Sequence, residues 1–145
     1  AAGGPAMLAA AREAAEQSGG SQRPLVIAVT VLTSLDDADL AAVGQSVPAR
    51  DQVVRLAKLV QSEGLDGVVC SPAEITAIRA ACGPDFKLIV PGIRPAWAAT
   101  GDQKRITTPA QARNDGADIL VIGRPITGAD DPAAAAVRIM EELAK

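Results

Sequence analysis

The sequence holds 145 residues with a formal net charge of −3, 48% apolar residues, one Phe, one Trp, no Tyr, no His and two cysteines. That length suits a single domain and falls well short of the roughly 250 residues of a complete eight-fold α/β barrel. The charge excludes a basic field for nucleic acid, the scarcity of rings excludes base-stacking platforms, and the lack of His excludes a His-liganded zinc site within this sequence.

Cys70 and Cys82 are neither CxxC-spaced nor numerous enough to staple a secreted scaffold. No apolar stretch reaches the roughly 18 residues of a membrane span, and the opening residues lack the basic flank and apolar core of a signal peptide. The expectation is a reduced, cytoplasmic protein without nucleic-acid or membrane partners. With one Phe (Phe86) and one Trp (Trp97), the core must come from Ala, Val, Leu and Ile, which favours helices packed on parallel strands.

In chain order, PAMLAAAREAAEQSGG predicts an Ala-rich helix closed by Gly19 and Gly20. PLVIAVTVL follows as a continuous apolar, β-branched run, the pattern of a strand covered on both faces. TSLDDADLAAVG predicts a short helix or two turns, with Asp36 and Asp37 as helix-start charges rather than a catalytic pair. PARDQVVRLAKLVQSEG places Val53, Leu56, Ala57 and Val60 on one face and Arg55, Lys58 and Gln61 on the other, with Gly64 as a stop.

GVVC is a second strand. SPAEITAIRAACG then starts a helix with Ser71 as cap, Pro72 at the first position and Glu74 closing a capping box. KLIVPG is a third strand, and TPAQARNDG repeats the helix start with Thr108 and Pro109. ADILVIG is a fourth strand, and DPAAAAVRIMEELAK, opened by Asp131 and Pro132, is the last helix. A helix followed by four strand–helix units predicts a parallel sheet joined by right-handed crossovers. An open dinucleotide-binding sheet fits less well, because no GxGxxG follows the first strand.

Parallel α/β folds bind ligands at the C-terminal ends of their strands. The residues just beyond the four runs are Thr33 and Ser34, Cys70 and Ser71, Pro91 with Gly92 and Arg94, and Gly123 with Arg124. In IGRPIT, Gly123 admits another group to the backbone and Arg124 offers a planar fork of donors suited to phosphate oxygens. Gln103, in GDQKR, could add an amide donor to the same anion. Each has a plain structural alternative: a turn with a solvated charge for Gly123–Arg124, an Arg94 stem packed on Trp97, a turn cap for Thr33. Cys70 reads as a small buried hydrophobe.

The motifs VTVLTS, GLDGVVCSP, PGIRP with GDQKRITTPAQA, and GADILVIGRPIT, in this order, closely resemble the C-terminal half of bacterial orotidine 5′-monophosphate decarboxylases. The resemblance extends to AAGG and Met7 at the start. It implies a (β/α)8 TIM barrel of which residues 1–145 carry about the last four βα units after a leading helix, with no internal domain boundary. It also implies removal of CO2 from orotidine monophosphate to give UMP in pyrimidine synthesis, without metal or organic cofactor. By motif, Gln103, Gly123 and Arg124 resemble the phosphate-binding set, Arg94 a further ligand contact and Thr33 the residue beside the pyrimidine. PGIRPAWAATGDQKR resembles the mobile loop that closes over the phosphate.

The family's catalytic Asp-x-Lys-x-x-Asp does not occur in this sequence. DFKLIV offers Asp85 and Lys87, but Val90 stands where the second Asp belongs, so both read as surface charges. No catalytic residue is therefore assigned here. With no initiator Met at Ala1, the expectation is a C-terminal portion whose partner is the missing N-terminal half of the barrel, inactive without it. Unpaired sheet edges and an apolar interior lead to the expectation of a homodimer. A non-catalytic phosphate-binding or self-associating half-barrel, and another phosphate-binding barrel enzyme, are the alternatives.

Overall fold

The computed structural model describes residues 1–19, 22–46, 48–98 and 107–144. Its elements are α1 (Pro5–Gly19), β1 (Ile27–Val29), α2 (Asp37–Ala42), α3 (Ala49–Ser62), β2 (Gly67–Val69) and α4 (Ile75–Cys82), followed by β3 (Lys87–Pro91), α5 (Pro109–Asp115), β4 (Ile119–Val121), α6 (Arg124–Thr127) and α7 (Pro132–Leu143). The four strands form one parallel sheet in the order β1-β2-β3-β4. Val29, Val69, Ile89 and Ile119 make one row across it. Among the described residues no helix is long and apolar enough to cross a membrane.

Successive side chains of a strand point to opposite faces, and here the two faces differ sharply. Ala28, Val68, Leu88 and Val90 are buried against α1, α3, α4 and α5, in a core that includes Leu8, Val53, Val60, Ile78 and Ala112. Burying such a side chain contributes about 1.5–3 kcal/mol. On the other face Val29, Ile119 and Val121 remain 44%, 48% and 48% exposed, so within the described residues that face is uncovered. The amphipathic reading of α3 holds, since Val53, Leu56, Ala57 and Val60 are all buried.

Two expectations shift. PLVIAVTVL contributes only Ile27–Val29 to the ladder, the three residues that pair with Gly67–Val69 of β2. Thr30 still donates its N–H to Val69 O at 3.3 Å, but the chain then turns away. GRPIT, for which no helix was expected, forms the single turn α6. The expected start at Thr108 holds, its Oγ1 accepting from Gln111 N at 3.2 Å, whereas Ser71, whose N–H donates to Glu74 Oε2 at 2.8 Å, opens a 3-10 turn over Pro72–Glu74 that leads into α4. Gly20, expected to help close α1, lies outside the described residues.

The N-terminal rim of the sheet is stapled twice by the same device. Gly64-Leu65-Asp66 precedes β2 and Gly116-Ala117-Asp118 precedes β4. Asp66 Oδ2 accepts from Val26 N at 2.7 Å, beside β1, and Asp118 Oδ2 accepts from Leu88 N at 2.9 Å, in β3. An arginine completes each staple: Arg23 grips Asp66 with two hydrogen bonds of 2.8 and 2.9 Å, and Arg79 Nη2 reaches Asp118 at 2.7 Å. Arg79 Nη1 also donates to the carbonyls of Gly83, Pro84 and Phe86, fixing the turn into β3. Lys87, expected as a surface charge, joins this group at 3.3 Å from Asp118.

Between the staples, β2 and β3 approach closely at Gly67, where an added Cβ would stand 2.2 Å from Lys87 O. Only glycine fits there.

The staples make stability depend on pH. The Arg23 hydrogen bond foremost, with the Val26 N–H, holds the Asp66 carboxyl below its ordinary value. Burial pushes Asp118 up, but the Leu88 N–H, Arg79 and Lys87 outweigh it and hold that carboxyl low as well. A depressed folded-state pKa contributes stability above the unfolded value of about 3.9, and that stability is lost as pH falls through the folded value. Asp118→Asn is expected to lower stability at pH 7 by about 1.5–3 kcal/mol and to flatten the decline below about pH 4. Urea unfolding between pH 7 and pH 3 measures both, and an unchanged acid slope would contradict the staple.

Candidate functional site

The C-terminal ends of the four strands form a rim, and the structure places the expected residues along it unequally. Beyond β1, Thr30 is buried and its Oγ1 donates to Val69 O at 2.8 Å, a hydrogen bond that serves the sheet. Thr33 lies in the turn closed by Leu35 N–H to Leu32 O at 3.0 Å and is exposed. The acidic residues that follow are engaged in local structure. Asp36 caps α2, accepting from Ala38 N and Asp39 N, and Asp37 accepts from Ala49 N at 2.7 Å.

Beyond β2, Cys70 is buried, and that burial foremost, with Glu74 adding to it, pushes the thiol up to about 12. It is a packing residue and not a nucleophile.

The ends of β3 and β4 are tied by the pairing of Pro91 with Val121. Arg94 and Arg124 each follow that pair by three residues, so two arginines leave adjacent strands at one level. Gly92, at φ 78°, turns the chain out of β3. Ile93 pairs in parallel with Thr107, and the Arg94 N–H donates to Thr107 O at 3.0 Å. Arg94 is 6% exposed and Arg124 is exposed. Gly123 caps α6, its carbonyl accepting from Ile126 N and Thr127 N at 2.8 and 3.1 Å. Gln103 lies outside the described residues, as does the whole of GDQKRI.

Trp97 has a packing partner that the sequence did not suggest. The Arg138 guanidinium of α7 stacks over the ring, its carbon 4.2 Å from the centroid. No sequence signal joins two residues so far apart, and Arg138 lies in what reads as the solvent side of an Ala-rich helix. The larger concavity, about 710 Å³, is elsewhere: Ala117, Ile119, Leu120, Ile122, Ile139 and Met140 line it, along the free edge of β4. It contains neither Arg94 nor Arg124; Arg113 and Asp118 border it, but most of its lining is aliphatic and suits packing.

Glycine at position 123 is not demanded by its neighbours. An added Cβ would meet nothing within 4 Å, in contrast to Gly67. The backbone is therefore open on that side at the point where Arg124 leaves the sheet.

The model of the Orotidine 5'-phosphate decarboxylase / HUMPS family matches residues 1–139. This chain belongs to that family. It is 60% identical to the orotidine 5'-phosphate decarboxylase of Paramagnetospirillum magneticum over 99% of its own length and 62% of that protein. It is 56% identical to the Rhodospirillum rubrum protein of the same name, over 97% of this chain and 58% of the other. The crystal structure of the Lactobacillus acidophilus orotidine 5'-phosphate decarboxylase superposes with a TM-score of 0.83 at 37% identity, covering 99% of this chain and 60% of that one. The chain thus spans about three fifths of the length of these decarboxylase relatives.

The contrast between the two glycines can be measured. Gly67→Ala is expected to destabilise the protein by about 1–3 kcal/mol through overpacking against the Lys87 carbonyl. Gly123→Ala should cost clearly less, since the methyl enters open space. Thermal midpoints of the two variants, compared with the parent, decide this, and equal losses would show that Gly123 serves the fold.

Proposed function

We propose that this chain supplies the phosphate- and pyrimidine-binding half of an orotidine 5'-monophosphate decarboxylase that gives UMP and CO2 in the cytoplasm. The observation that carries the reading is the pairing of Pro91 with Val121, which sets Arg94 and Arg124 at one level of a parallel sheet's C-terminal rim. Arg124 offers two parallel donors to a phosphate, the open backbone at Gly123 lets that phosphate approach, and Gln103 and Arg94 add further donors. Thr33 follows β1, the strand at the opposite edge of the sheet, three strand spacings or about 14 Å from β4. A ligand touching both ends is elongated, with an anion at one end and a hydrogen-bonding ring at the other, as a nucleotide is.

In this reading residues 1–145 form half of one (β/α)8 barrel. The uncovered face at Val29, Ile119 and Val121 and the apolar concavity beside β4 are where the other half packs. That half carries Asp-x-Lys-x-x-Asp. Loss of CO2 leaves an electron pair on the pyrimidine carbon, which takes up a proton from that lysine. The residues of this chain act at a distance: binding energy from the phosphate drives enclosure and desolvation around the reacting carbon. The chemistry calls for no metal or organic cofactor.

In the intact protein, Arg124→Ala is expected to lower kcat/KM for orotidine monophosphate by about one to two powers of ten. The fall in substrate absorbance follows the rate, and unchanged kinetics would remove Arg124 from the site. The 145-residue chain on its own leaves the apolar face open and should self-associate into a homodimer or larger species. A monodisperse monomer by light scattering would contradict the half-barrel assignment.

A further inference from the structure

Beyond Pro91 and Val121 the ladder that holds β3 to β4 ends, and the segments carrying Arg94 and Arg124 leave the sheet separately. What fixes one against the other must lie outside the sheet. On the β3 side, Ile93 and Pro95 are almost fully buried and anchor the segment. The Ala98 N–H donates to Pro95 O at 3.0 Å, closing a turn that presents Trp97. On the β4 side, α6 begins at Arg124 and packs on α7, the helix that carries Arg138. The Arg138 guanidinium covers the Trp97 ring at 4.2 Å, well inside the roughly 6 Å over which a ring attracts a cation. Among the described residues Arg138 forms no ion pair, so this stack accounts for its placement.

We propose that Trp97 and Arg138 are positioning residues for the nucleotide site: their stack ties the segment bearing Arg94 to the α6–α7 unit bearing Arg124 and so sets the spacing of the two arginines. This inference rests on the reading of that rim as a phosphate site. Neither residue touches the ligand. Their effect falls on how much ordering the site needs when the phosphate arrives, which appears in affinity before it appears in the chemical step.

The test uses the intact protein, with UMP as the probe in titration calorimetry and orotidine monophosphate in steady-state kinetics. Arg138→Leu and Trp97→Ala are each expected to weaken UMP binding and raise KM by about 2- to 30-fold, the range a cation–π contact spans, with a smaller change in kcat. The double variant should lose no more than the worse single one, because both remove the same contact. Arg138→Lys and Trp97→Phe, which keep a cation and a ring, should restore most of the loss. Affinities within two-fold of the parent, losses that multiply in the double variant, or losses that follow the melting temperature and are not restored by the conservative variants would overturn the proposal. Arg124→Ala is measured alongside. If it binds UMP normally, the phosphate reading fails and takes this inference with it, whereas a weakened Arg124→Ala beside an unaffected Arg138→Leu defeats this inference alone.

Discussion

A parallel sheet exposes a row of backbone groups at each edge and needs cover on both faces, and the described residues of this chain cover one. Helices α1, α3, α4 and α5 seal the face of Ala28, Val68, Leu88 and Val90, whereas Val29, Ile119 and Val121 look out from the other. That one-sided burial explains strands rich in β-branched residues on both faces and the apolar hollow along β4. The match to about three fifths of the length of the decarboxylase relatives agrees with it.

The flush register of the strands divides the labour between the two rims. At the N-terminal rim, Asp66 and Asp118 with their arginines stitch neighbouring strands together, and the residues there are consumed by the fold. At the C-terminal rim the Pro91–Val121 pair is the last shared row, after which the chain is released into segments that carry Arg94, Gly123 and Arg124. The same distribution is general in parallel barrels, where the lower face serves stability and the upper face serves ligands.

Much of this was legible in the sequence because local rules and tertiary demands agree. The apolar stripe of α3, the Ser71 and Thr108 starts and the four strand runs needed only periodicity and capping chemistry. Long-range contacts made by arginines were not legible. Arg79 gathers carbonyls from the turn into β3 and the Asp118 carboxylate, and Arg138 covers Trp97, yet neither contact leaves a trace in spacing. Thr30 and Thr33 show the limit of motif reading: the two stand three residues apart in VTVLTS, but one hydroxyl is spent on the Val69 carbonyl and the other faces outward. Arg94 and Arg124 could be named as strand-end residues, while their common level required the register.

The two carboxylate staples have a directional consequence. One joins β1 to β2 and the other joins β3 to β4, whereas the middle seam is held by the Lys87 N–H to Asp66 carbonyl hydrogen bond, the close approach at Gly67 and apolar contact. Protons therefore attack the outer seams and spare the inner one. Acid loosens this sheet from its margins toward its centre, so the seams at β1 and β4 give way before the one between β2 and β3.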